Sequence, residues 1–183
     1  MGHSDGAGNA PILKTMHLII DGYNLLHVTR SLTLLNSIEL QWERDRLIDQ
    51  LSAYRQVKPY EVTIVFDGWQ AGWKTEKKEW RKGIEIIFSK LGEKADEVIK
   101  RLVKEKGSGA IVVTSDREVS RYAERMSAAV IPSDPFSEKM ENSALSIQKD
   151  LEEAEEERSS KRKGPSRRLS KKERRFRNAI RKL

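Results

Sequence analysis

The chain has 183 residues, 37% hydrophobic and 34% charged, with no cysteine and a formal charge of +7. That length suits one domain with extensions, and the lack of thiols excludes disulfides and thiolate metal sites. The three histidines (His3, His17, His27) argue against a histidine-rich zinc site, and no apolar run approaches the roughly 18 residues of a membrane span.

Residues 1–15 are small and polar, without the apolar stretch of a signal peptide. They are expected to be a disordered or cloning-derived extension, with Met16 as the natural start. "HLII" (17–20) is a first apolar strand, running directly into Asp21-Gly22. Gly22 is expected to permit a turn that brings Asn24 round beside Asp21. A helix is predicted over 38–56, where Leu40, Leu47, Ile48, Leu51 and Tyr54 fall at helical spacing. "EVTIVF" (61–66) is a β-branched strand ending at Asp67-Gly68.

The stretch "GWQAGWKTEKKEWRKG" (68–83) is predicted as a loop overhanging the end of that strand. It interleaves Trp69, Trp73 and Trp80 with Lys74, Lys77, Lys78, Arg81 and Lys82. Rings among cations suit single-stranded RNA, with bases stacking and phosphates meeting the cations. The bland reading is that at least one tryptophan anchors the loop on the sheet. Beyond it, "IEIIF" (84–88), "AIVVT" (110–114) and "AAVIP" (128–132) are further strands. Between them lie helices over 94–105 and 116–126. Strands alternating with helices predict an α/β fold with a mainly parallel sheet of about five strands, covered on both faces. The domain is expected to span 16–135. Residues 136–183 read as a C-terminal helix, the acidic run "DLEEAEEE" (150–157) and a basic tail. Residues 158–183 hold 13 of the 35 Lys/Arg against Glu173 alone. Such a tail points to nucleic acid, with Lys171, Lys172, Arg174 and Arg175 as candidate contacts.

In a parallel sheet all strand ends share one edge, where ligands bind. Asp21, Asp67 and Asp116 follow three strands, and Asp96, beside Glu97, opens the helix after a fourth. Carboxylates crowded in this way repel one another unless a cation sits among them, and Mg²⁺ or Mn²⁺ suits oxygen ligands. Each acid alone is more simply a turn or helix cap; the set points to a shared metal site with Asn24 orienting water or phosphate.

"IIDGYNLLH", "VFDG", "KADEVIKRL" and "VVTSDREV", followed by the tail "KGPSRRLSKKERRFRNAIRKL", resemble the YacP-like branch of the NYN domains, relatives of PIN-domain nucleases. The resemblance implies a PIN-like three-layer α/β/α fold and metal-dependent cleavage of single-stranded RNA to 5′-phosphate and 3′-hydroxyl ends. It matches Asp21, Asn24, Asp96 and Asp116 to the acidic site. Glu97 stands where relatives often have a second aspartate, and Asp67 matches a common strand-end acid. Cytoplasmic location and RNA as partner follow, with the ribosome as a further partner that the resemblance allows. An RNA-binding protein on an inactive PIN-like fold is the alternative. A phosphatase using Asp21 as nucleophile ranks lower, because Tyr23 replaces the second acid of Asp-x-Asp.

Overall fold

Five consecutive buried residues, His17–Asp21, form β1 at the centre of a six-stranded sheet. In the computed structural model, residues 16–29, 31–32, 34–58, 60–68 and 73–162 are described; Trp69, Lys171, Lys172, Arg174 and Arg175 lie outside them. β1 pairs in parallel with β2 (Glu61–Phe66) on one side and β5 (Ala110–Val113) on the other. β4 (Ile84–Phe88) adds in parallel to β2, and β6 (Ala129–Ile131) to β5. β3 (Lys77–Arg81) runs antiparallel along the outer edge of β4, completing the order β3-β4-β2-β1-β5-β6. Strands covered on both faces need apolar residues at successive positions, which is why β1, β2 and β4 are mostly apolar, with Thr63 and Glu85 as polar exceptions inside β2 and β4.

The faces are divided by strand alternation. Leu18, Ile20, Ile64 and Phe66 pack with residues of α1 (Gly22–Thr29), α2 (Ser37–Val57) and the start of α5 (Ser133–Arg162). Ile19, Val65, Ile87 and Val112 pack with α3 (Ala95–Lys106) and α4 (Arg117–Arg125). The result is the expected three-layer α/β/α architecture. α2 begins in a capping box: Asn36 Oδ1 accepts from the backbone of Ile38 and Glu39, while Glu39 returns a carboxylate to the Asn36 N–H.

The chain divides into two compact units, Met1–Ala144 and Leu145–Leu183. The first continues past residue 135, because Phe136 and Met140 of α5 are buried in its core. The described part of the second is helical as far as Arg162, with Gln148 bonded to Glu152 one turn on. Among the described residues no helix is long and apolar enough to cross a membrane.

Two local expectations are corrected. Gly22 does not open a turn but the helix α1, and it is required for space: a Cβ there would lie 2.4 Å from the Phe66 ring. The stretch 68–83 is not one overhanging loop, since Lys77–Arg81 form β3. A two-residue turn at Lys82 and Gly83, with φ of 52° and 78°, returns it to β4, the geometry of a type I′ hairpin.

Gly68 is tighter still. Its N–H donates to Ser89 Oγ at 3.1 Å, and a Cβ would stand 1.9 Å from the Ser89 carbonyl oxygen. Gly68→Ala is therefore expected to destabilise the protein by about 2 kcal/mol or more, as overpacking against fixed backbone does, measured by urea unfolding.

Candidate active site

Asp21 closes β1 between two neighbouring strands, opposite Val65 of β2 and one residue beyond the Ile20–Val113 pair with β5. The strand order reverses here, since β2 and β4 extend one way from β1 and β5 and β6 the other. The side chain is buried. Its Oδ1 accepts from the Asn24 N–H at 3.2 Å and its Oδ2 from Thr114 Oγ1 at 3.2 Å. The Asp21 carboxyl is pushed up to about 6, by burial first and then by the charges of Asp96 and Asp67, against the hydrogen bonds from the Asn24 backbone and Thr114.

The other acids arrive from separate elements. Asp67 follows β2 and does a definite structural job: its Oδ1 accepts from the Ala95 N–H at 2.6 Å. α3 has no cap from its own Lys94 side chain, so Asp67 supplies one from across the edge. Asp96 occupies the first turn of that helix. Its carboxyl is raised by burial first, then by the charges of Asp116 and Asp67, against Lys100 and Lys94. Asp116 caps α4, its Oδ1 accepting from Glu118 and Val119 at 2.7 and 2.9 Å. Asp21, Asp67, Asp96 and Asp116 thus form one electrostatic group, and none of them makes a salt bridge among the described residues.

Glu97 stands apart. It is exposed and paired with Lys100 at 3.0 Å, and Lys100 also holds Glu118 of α4 at 2.6 Å. The two carboxylates raise the Lys100 amine, so this trio ties α3 to α4. Among the described residues no three acidic or histidine side chains converge tightly enough to form a ready metal cage. A Mg²⁺ that keeps several waters needs only one or two direct carboxylates, so the donor set fits a hydrated ion better than a dehydrated one.

Asn24 is more structural than expected. Its Oδ1 accepts from the Ser115 N–H at 2.8 Å and from Ser133 Oγ at 2.7 Å, tying α1 to the β5–α4 connection and to the start of α5. This arrangement commits the carbonyl oxygen and leaves the Nδ2 hydrogens for another acceptor. Thr114, Ser115 and Ser133 were not singled out from the sequence; the only available signal was the polar "TS" between a buried strand and Asp116.

The cationic stretch is split by the hairpin. Lys77 lies opposite Phe88, at the acidic end of the sheet, whereas Arg81 lies opposite Ile84, at the far end. Arg81 and Lys82 there bind Asp45 and Asp49 of α2, each at 2.6 Å. They do not overhang the acids, and neither does Trp80, which is 72% exposed and opposite Glu85. Trp73 is the anchor that the bland reading called for, meeting Phe88 edge-on at 5.0 Å with Lys77 Nζ 4.5 Å from its ring centre. Lys74 is exposed before β3, and Lys78 pairs with Glu76 at 3.5 Å.

The sequence model of the YacP-like NYN domain matches residues 18–182. A Bacillus subtilis (strain 168) protein described as "Uncharacterized protein YacP" is 33% identical over 87 residues, covering 48% of this chain and about half, 51%, of that relative. The crystal structure of Rae1 (YacP) from Bacillus subtilis superimposes with a TM-score of 0.63 at 25% identity, over 79% of this chain and 84% of the other. The crystal structure of a tryptophan-to-leucine mutant of the same Bacillus protein gives 0.66 at 23% identity, over 78% and 86%. Shared architecture and a family match from β1 to the tail agree: this chain belongs to the YacP-like NYN domain family, a family of nuclease type.

Proposed function

We propose that the protein is a divalent-metal-dependent endoribonuclease acting on single-stranded RNA in the cytoplasm. The observation that carries this reading is the gathering of Asp21, Asp67, Asp96 and Asp116 at one sheet edge with no salt bridge to any of them among the described residues. Nucleases of this type generally use divalent metals. Asp21 and Asp96 would hold Mg²⁺ or Mn²⁺, with Asp116 and Asp67 offering the oxygens that helix capping leaves over. When bound, the ion supplies Lewis-acid charge for a phosphodiester and acidifies a water for in-line attack. Asn24 Nδ2 orients a phosphate oxygen or that water. The Asn24 N–H and Thr114 Oγ1 fix the Asp21 carboxylate. The NYN family and the basic tail support RNA as substrate, and the ribosome remains a partner suggested by the tail's charge.

The alternative, an RNA-binding protein without cleavage, draws support from the absence of a tight three-acid cluster among the described residues. Asp21→Asn separates the two. Cleavage of single-stranded RNA in Mn²⁺ is expected to fall at least about 100-fold, the scale of losing one electrostatic group at a reacting centre, while RNA binding persists. Unchanged cleavage contradicts the metal mechanism; binding without cleavage by either form assigns the alternative.

Asp21 also makes stability depend on pH. Its folded-state carboxyl titrates near 6, above the usual value of 3.8, so the folded protein takes up the proton more readily than the unfolded chain. Stability is therefore lost as pH rises from about 4 to about 6. In EDTA at pH 7.5, Asp21→Asn is expected to be more stable than the parent by up to about 3 kcal/mol, at 1.36 kcal/mol per unit, and the gap should close near pH 4. Adding Mn²⁺ should stabilise the parent alone, read as a thermal-melt shift.

A further inference from the structure

A second feature lies on the α2 face of the sheet. A cavity of about 230 Å³ opens between α2 and the β3–β4 hairpin, lined by Arg44, Trp73, Lys77, Glu79, Arg81 and Phe88 among others. A row of rings runs from it toward the strand end that carries Asp21. Phe88 ends β4 and stacks on Phe66 at 5.6 Å, and Phe66 meets Tyr23 edge-on at 5.2 Å, two residues after Asp21.

The cavity holds three cations against one carboxylate, and their commitments differ. Arg81 is satisfied by Asp45. Lys77 touches Glu79 and covers the Trp73 ring. Arg44 makes no ion pair among the described residues. Its guanidinium lies 5.7 Å from the Phe88 ring centre and reaches the Tyr23 hydroxyl only at 3.5 Å. Its Nε is buried without a hydrogen-bond partner. A buried donor left unpaired is costly, and a guanidinium fork matches the oxygens of a phosphate.

Cation and ring together fit a nucleotide. We propose that the Arg44–Trp73–Lys77 cavity is a nucleotide subsite, holding one residue of single-stranded RNA beside the acidic edge with its phosphate on Arg44 and Lys77 and its base against Trp73. Lys77 is half exposed on a flexible stem, so its ammonium can leave the ring to the base and turn to the phosphate. An acidic peptide would satisfy the guanidinium but give the aromatic lining no planar partner. The subsite rests on the reading of the acidic edge as a ribonuclease centre, whose RNA it would position.

The test uses the full chain carrying Asp21→Asn, so that binding is measured apart from cleavage. Fluorescence anisotropy with a labelled single-stranded RNA oligonucleotide gives the affinity and its salt dependence. Adding Arg44→Gln and Lys77→Gln together is expected to weaken binding by about tenfold or more, and to reduce the slope of log K against log salt by at least about 0.7, the share of one phosphate contact. Lys104→Gln, on an exposed turn of α3, should change neither. Affinity within about twofold of the parent, with an unchanged slope, overturns the subsite. Should the double variant fail to fold, Arg44→Lys and Trp73→Phe, which keep charge and packing, decide by the same readouts: each should weaken binding by about threefold or more, and no change in either rejects the proposal. The two readings fail separately. Weakened binding with no cleavage by any form keeps the subsite and rejects the ribonuclease; undiminished binding with Asp21-dependent cleavage does the reverse.

Discussion

A carboxylate buried at the end of the central strand is the constraint around which the molecule is organised. Asp21 cannot withdraw to solvent, because β1 is paired on both sides and its other residues are buried. Two hydrogen bonds hold it, one from the Asn24 backbone and one from Thr114. These offset only part of the cost of burying a charge, which a proton or a cation must otherwise relieve. Asp67 and Asp96 nearby make protonation easier still and make the site a sink for positive charge.

The surrounding acids are held by the same bonds that build the scaffold. Asp67 caps α3 and Asp116 caps α4, so the carboxylates that shape the electrostatics also close the exposed N–H groups of two helices. The positive ends of those helices point to the acidic edge and make its negative charge tolerable. Structural and chemical roles are therefore not alternatives at these positions: a carboxylate has two oxygens, and capping uses one.

The sheet was legible because its buried strands are written as apolar runs, and α2, α3 and α4 because their apolar residues recur at helical spacing. β3 was not, since "KKEWR" at an edge has only one face to cover and no apolar alternation to announce it. Its turn also places Lys82, a residue with no special preference for positive φ, where glycine or asparagine usually signals a hairpin. α1 was hidden for a related reason: Asp-Gly after a strand ordinarily means a turn, and only the Phe66 ring explains a glycine opening a helix. At the site the four aspartates could be proposed from their places after strands and at a helix start. The internal bonds of Asn24, the commitment of Glu97 to Lys100 and the isolation of Arg44 arise from contacts between elements distant in sequence, which spacing does not encode.

Anomalous diffraction from crystals soaked in Mn²⁺ tests the central claim most directly. The account predicts a manganese peak at the carboxyl edge, bound to Asp21 directly or through one water and shared with Asp96 or Asp116. Manganese bound only elsewhere on the protein, with this edge empty at saturating Mn²⁺ and neutral pH, would contradict it.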